Sequence, residues 1–113
     1  MHELSLCENV VQVIEDQARA QGFHRVRLVR LEIGRLAGVE IEALRFGFDA
    51  VAKDTVVDGA SLEIIEVPGV AWCPHCQQRV EVLQRYDACP SCGHVPLELT
   101  AGDEMRIVEL EVE

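Results

Sequence analysis

Four cysteines come in two matching spacings, Cys73-Pro74-His75-Cys76 and Cys89-Pro90-Ser91-Cys92, with twelve residues between the pairs and Gly93 directly after the second. Each C-x-x-C turn aims two sulfurs and nearby backbone N–H groups at one point, so two turns close a tetrahedron of thiolates around a single ion. Zn(II) suits this donor set. Four protein ligands leave no open position for a substrate or an activated water, so such an ion is structural. A rubredoxin-like single iron suits the same Cys-Pro-x-Cys-Gly turn, and that alternative stays open at this point. His75 lies inside the first turn and His94 just past the second. They are read either as neighbours of the ligands or as ordinary exposed loop histidines.

A second donor group opens the chain, Met1-His2-Glu3. The terminal amine, the ionised His2 amide and the His2 imidazole Nδ1 close a five-membered and a six-membered chelate ring in one plane, the geometry that Ni(II) and Cu(II) favour. The Glu3 amide could take the place of the amine. The fourth ligand stays open among the Glu3 carboxylate, the remaining terminal group and a histidine of the cysteine module. Amide and imidazole protons must leave, so binding weakens as pH falls. Taken alone, a histidine at position 2 reads as an ordinary solvated side chain.

The elements that must position these groups follow from hydrophobic period. Leu4, Cys7, Val11, Ile14 and Ala18 fall on one helical stripe, and Ser5 with Glu8 forms a capping box, which starts the helix near Ser5 and leaves residues 1–3 as a short arm. Gly22 is its natural stop. Alternation from Arg25 to Leu36 predicts a strand, Ile41, Leu44, Phe48 and Val51 a second amphipathic helix, and Ser61 to Val67 a second strand, with strand, helix and strand suited to a parallel crossover pair. Met105 to Glu113 alternates Val108, Leu110 and Val112 with glutamates, a half-buried strand with an acidic face. Within the cysteine module, Arg79 to Leu83 reads as part of a zinc-ribbon hairpin.

The fold class is therefore α+β: a small mixed sheet with two helices, and a four-cysteine ribbon inserted before the last strand. Residues 1–67 and 103–113 form the α+β domain and residues 68–102 the ribbon. Val67-Pro68-Gly69 and the stretch from Thr100 to Gly102 read as linkers that let the two reorient. A module of about 30 residues has too little apolar surface to fold unaided, so the metal supplies its folding energy.

With 49% hydrophobic residues the chain has enough apolar side chains for a core, and 20 acidic against 10 basic residues give net charge -10. That balance opposes nucleic acid, which needs clustered Lys and Arg, and suits cations or a basic protein partner. No basic segment followed by a long apolar run opens the sequence and no stretch reaches membrane-span length, so a cytoplasmic protein, off the membrane, is expected. Cysteines in a reducing compartment are metal ligands or free thiols rather than disulfides. No nucleophile with a base, phosphate-binding glycine loop or three-ligand zinc site is present, so the chain is not read as an enzyme.

Met1-His2-Glu3-Leu4, Leu31-Glu32-Ile33-Gly34, Val39-Glu40, Leu44-x-Phe46-x-Phe48-Asp49, Gly59-Ala60-x-Leu62, the paired C-x-x-C turns and the acidic last strand together resemble the HypA/HybF family of hydrogenase maturation nickel metallochaperones, essentially end to end. The resemblance implies a transient Ni(II) site at Met1, His2 and Glu3 and a structural Zn(II) at Cys73, Cys76, Cys89 and Cys92. It implies delivery of nickel to the large subunit of a [NiFe] hydrogenase, together with the HypB GTPase and, in some organisms, service to urease maturation proteins. A monomer or homodimer fits equally. The competing reading is an iron- or zinc-ribbon adaptor that binds protein without delivering nickel.

Overall fold

Helix α1 spans Glu3–Gln21 and buries Cys7, Val10, Val11, Ile14 and Ala18, the stripe that its period assigns to the core. It starts at Glu3, not near Ser5, in the computed structural model, which describes residues 3–113. Ser5 thus lies within the first turn and the capping-box expectation is corrected. The physical reason is a partner outside the helix: the Glu3 carboxylate accepts the Glu40 N–H at 3.2 Å. An acidic side chain in a first turn also suits the positive helix end. The helix stops as expected, at Gly22 with φ 81° and its N–H on the Ala18 carbonyl at 2.8 Å.

The chain divides into two units. One comprises the described residues up to Leu31 with Val39–Ile64 and Ile107–Glu113, the other Glu32–Gly38 with Ile65–Arg106. Strand β1 (Val26–Gly34) is the middle of a three-stranded sheet ordered β2-β1-β6. Its near-continuous run of buried residues, Val26, Leu28, Val29, Leu31 and Ile33, matches that central place. Helix α2 (Ile41–Ala52) leads from β1 to β2 (Ser61–Val67). Val26 N–H bonds the Val56 carbonyl and Arg35 N–H the Val67 carbonyl, so β1 and β2 run the same way, as a crossover requires. Gly34 N–H reaches Glu104 and Glu113 N–H reaches Arg25, so β6 (Met105–Val112) runs antiparallel to β1 and the sheet is mixed.

α1 and α2 approach closely at Gly47, where an added Cβ would meet Cys7 Sγ at 3.4 Å and Leu4 Cδ1 at 3.6 Å. The Cys7 thiol donates to the Leu44 carbonyl at 3.3 Å, and burial pushes its pKa up, so it is a packed core thiol. The other face of the sheet is charged. There Arg30 pairs with Glu63 and Glu109, and Arg106 with Glu32.

The second unit holds a separate sheet, β4-β3-β5, made of β3 (Gly69–Cys73), β4 (Gln78–Val82) and β5 (Glu98–Ala101). β3 pairs antiparallel with both neighbours, Ala71 opposite Val80 on one side and opposite Leu99 on the other. Three chain segments cross here on glycines. A Cβ on Gly34 would lie 2.1 Å from the Gly102 carbonyl oxygen, and one on Gly102 would lie 2.3 Å from the Pro68 carbonyl oxygen. Arg35 N–H to Val67 and Leu36 N–H to Gly102, both 2.8 Å, complete the crossing. The stretches read as linkers are thus hydrogen-bonded within this unit. Glycine signals close backbone approach as well as flexibility, and approach is its use here.

Gly34→Ala and Gly102→Ala are expected to lower unfolding stability by about 2–3 kcal/mol each, because backbone must move, and Gly102 also sits at positive φ. Gly38→Ala, with positive φ but open space around it, should lose only about 1 kcal/mol. Denaturant midpoints of the three variants check the order.

Candidate metal centre

The first cysteine turn grows from the β3-β4 hairpin, whose ladder ends at the Cys73–Gln78 pair. Gln77 closes it with φ 56°, donating its N–H to the Cys73 carbonyl at 2.8 Å, while Cys76 N–H points at Cys73 Sγ at 3.3 Å. The second turn repeats the device: Gly93, with φ 77°, donates to the Cys89 carbonyl at 2.8 Å, and Cys89 N–H returns to the His94 carbonyl at 3.0 Å. Each turn thus ends on a left-handed residue just after its second cysteine. Gly93 signals this in sequence and Gln77 does not.

The four sulfurs lie within 4.8 Å of one another. Cys73 Sγ is 3.7 Å from Cys92 Sγ, and Cys76 Sγ is 3.9 Å from Cys89 Sγ. A regular tetrahedron with metal–sulfur bonds of about 2.3 Å has edges of about 3.8 Å. The spacing therefore fits one tetrahedral ion and is far beyond the sulfur–sulfur bond of about 2.05 Å in a disulfide. Cys73 and Cys89 are buried, Cys76 is half-buried and Cys92 exposed. Around them packs a core of only Leu36, Ala71, Val80 and Val82, with Leu97 and Leu99 partly covered. Strand β5, which supplies Leu99, is four residues long and was not apparent from periodicity.

Proton competition among these thiols is strong in the absence of an ion. Hydrogen bonding to Cys92, then burial, pushes Cys76 up to about 12. Cys89 goes the other way: burial opposes its ionisation, but N–H groups of Cys92 and Ser91 and the neighbouring thiols bring it down to about 7. Cys92 is drawn down by the Cys76 thiol and the His94 N–H, but burial and the Cys73 and Cys89 thiols leave it raised overall. A dication entering this cluster must therefore displace protons.

His75 and His94 stack face to face, ring centroids 5.8 Å apart and 13° from parallel. The four-donor cluster contains no histidine, so both stand beside the ligands and outside the set. Of the residues expected to hold nickel, Glu3 is described, at the start of α1 against the Glu40 N–H. Met1 and His2 lie outside the described residues. The Glu40 N–H is a contact that sequence reasoning missed, because nothing local links residues 3 and 40.

A family model described as hydrogenase/urease nickel incorporation, metallochaperone, hypA, matches residues 1–112. Hydrogenase maturation factor HypA of Alkalilimnicola ehrlichii and that of Azotobacter chroococcum are each 57% identical over 113 residues, covering all of both chains. The solution structure of the Ni metallochaperone HypA from Helicobacter pylori has the same fold, with TM-score 0.72 over 99% of this chain and 97% of that one at 24% identity.

Removing the ion should unfold the ribbon and spare the helical unit. With chelator, emission of Trp72, the sole tryptophan and a β3 residue, should shift while the far-ultraviolet helix signal persists. At pH 7.5 metal binding should release at least the Cys76 and Cys92 protons. Affinity should fall more steeply once pH drops below about 7, where Cys89 also holds its proton. Titration calorimetry in buffers of different ionisation enthalpy reads that number, and release of no proton would contradict the assignment.

Proposed function

Because the chain belongs to the HypA family of hydrogenase and urease nickel-incorporation metallochaperones, accessory maturation factors and not enzymes, we propose that it carries Ni(II) at Met1, His2 and Glu3 and passes it to the large subunit of a [NiFe] hydrogenase. The observation that carries this reading is the family match from residue 1 to residue 112, which takes in the first three residues and both cysteine turns.

The donor chemistry supports the division of metals. The His2 amide and imidazole, with the Met1 amine or the Glu3 amide, are the nitrogen donors that a square-planar Ni(II) prefers. Four thiolates in a closed tetrahedron suit Zn(II), which would stay in place and support the fold. Glu3 contributes in a second way: its carboxylate accepts the Glu40 N–H ahead of α2, which ties the first turn of α1 to the second helix. The nickel-binding domain is then residues 1–67 with 103–113, and the ribbon residues 68–102. A GTPase of the HypB kind and, in some settings, urease maturation proteins are the partners in this reading, and the cytoplasm the compartment. No helix among the described residues is long and apolar enough to cross a membrane.

Nickel titration of the zinc-loaded protein tests the reading. His2→Ala should lose the absorbance of a square-planar nickel complex and keep its zinc, and nickel affinity of the unaltered protein should fall as pH is lowered. Glu3→Gln should weaken nickel binding less than His2→Ala and should reduce stability by about 0.5–1.5 kcal/mol through the weakened bond to Glu40. Equal nickel uptake by His2→Ala and the unaltered protein would refute the nickel assignment.

A further inference from the structure

The strand order β2-β1-β6 leaves two sheet edges, and the molecule treats them differently. At β2 the Arg45 guanidinium donates to the Leu62 carbonyl at 2.8 Å, which occupies a backbone acceptor. β6 has no comparable guard. From Ile107 to Val112, among the described residues, nothing pairs with its outer edge. An open run of backbone N–H and C=O groups is a template for another strand.

A groove of about 510 Å³ runs along that open edge, between α1 and β6, lined by Val13, Gln17, Phe23, Leu110 and Val112. Val13 and Val112 are 45% and 41% exposed and offer apolar surface to this groove. A strand laid beside β6 would turn alternate side chains into this groove and the others toward the charged face of the sheet. On that face Glu109 is paired with Arg30, and Glu113 lies 3.6 Å from Arg27. Glu111 is exposed and has no ion-pair partner among the described residues.

We propose that the Ile107–Val112 edge is a docking site for an extended segment of a partner polypeptide, apolar on one face and basic on the other, that joins the sheet as a fourth strand. Charge chooses the occupant. A second copy would bring another net charge of -10 and set its own β6 glutamates beside these, whereas Lys or Arg side chains would meet Glu111 and offset the surplus. Main-chain hydrogen bonds supply affinity and the groove selects the alternate apolar residues.

The test uses the full-length, zinc-loaded, isotope-labelled protein and synthetic peptides of about eight residues, enough to span the edge. One alternates valine with lysine, a second valine with glutamate, and a third is the valine-lysine peptide N-methylated on the edge that faces β6. The valine-lysine peptide should shift amide resonances of Ile107 to Val112, Val13 and Phe23. The glutamate peptide should bind at least about tenfold more weakly, Glu111→Lys should weaken the lysine peptide by about tenfold, and added salt should weaken it further. N-methylation should abolish binding. Equal binding of the two charge types, unimpaired binding of the N-methylated peptide, or shifts confined to other residues would overturn the proposal. So would a concentration-dependent dimer that uses these same amides, which would make a second copy the occupant.

Discussion

Four sulfur atoms gathered around one point, with edges of 3.7 and 3.9 Å, cannot all be anions unless a cation sits among them. At that separation like charges repel strongly, and part of the cluster is removed from water. The thiols therefore either share protons unequally, as the opposite displacements of Cys76 and Cys89 show, or they bind an ion. Two turns from different parts of the chain bring their sulfurs together at this centre. The core behind it, a few residues around Ala71 and Val80, is too small to hold them together by itself. In the proposed assignment the ribbon's order would depend on coordination, and its ion would be one that does not leave.

The helical unit solves a different problem. Its core is self-sufficient, with α1 and α2 pressed together at Gly47 and Cys7 and laid on a strand, β1, that is buried along most of its length. Among its described residues no group of three or more His, Cys, Asp or Glu side chains gathers around one point. A cargo ion proposed for its N-terminal residues could come and go without unravelling the protein, whereas a labile ion in the ribbon could not. In the proposed assignment, hard and borderline nitrogen donors in one place and soft thiolates in the other would keep the two metals apart by chemistry.

Much of this was legible in the sequence, for identifiable reasons. The stripe from Cys7 to Ala18, the apolar run of β1, the alternation along β6, and the doubled C-x-x-C spacing were each readable from local pattern. Failures came where a remote partner decided. Ser5 and Glu8 carry a capping signal, yet the helix extends back to Glu3, whose carboxylate finds the Glu40 N–H. Pro68-Gly69 and Gly102 carry linker composition, yet Gly102 is packed against the Pro68 backbone and Gly69 against the Leu36 side chain and the Val82 carbonyl. Strand β5 is too short for periodicity to reveal and is defined by pairing with β3. The left-handed Gln77 lacks the glycine that marked its counterpart, Gly93.

Segregation of the two metals is the claim on which the functional reading rests, and X-ray absorption at both metal edges of the doubly loaded protein tests it most directly. Zinc should show four sulfur neighbours at about 2.3 Å, and nickel only nitrogen and oxygen neighbours in a planar first shell. Sulfur scattering at the nickel edge, or nickel replacing zinc among Cys73, Cys76, Cys89 and Cys92, would contradict it.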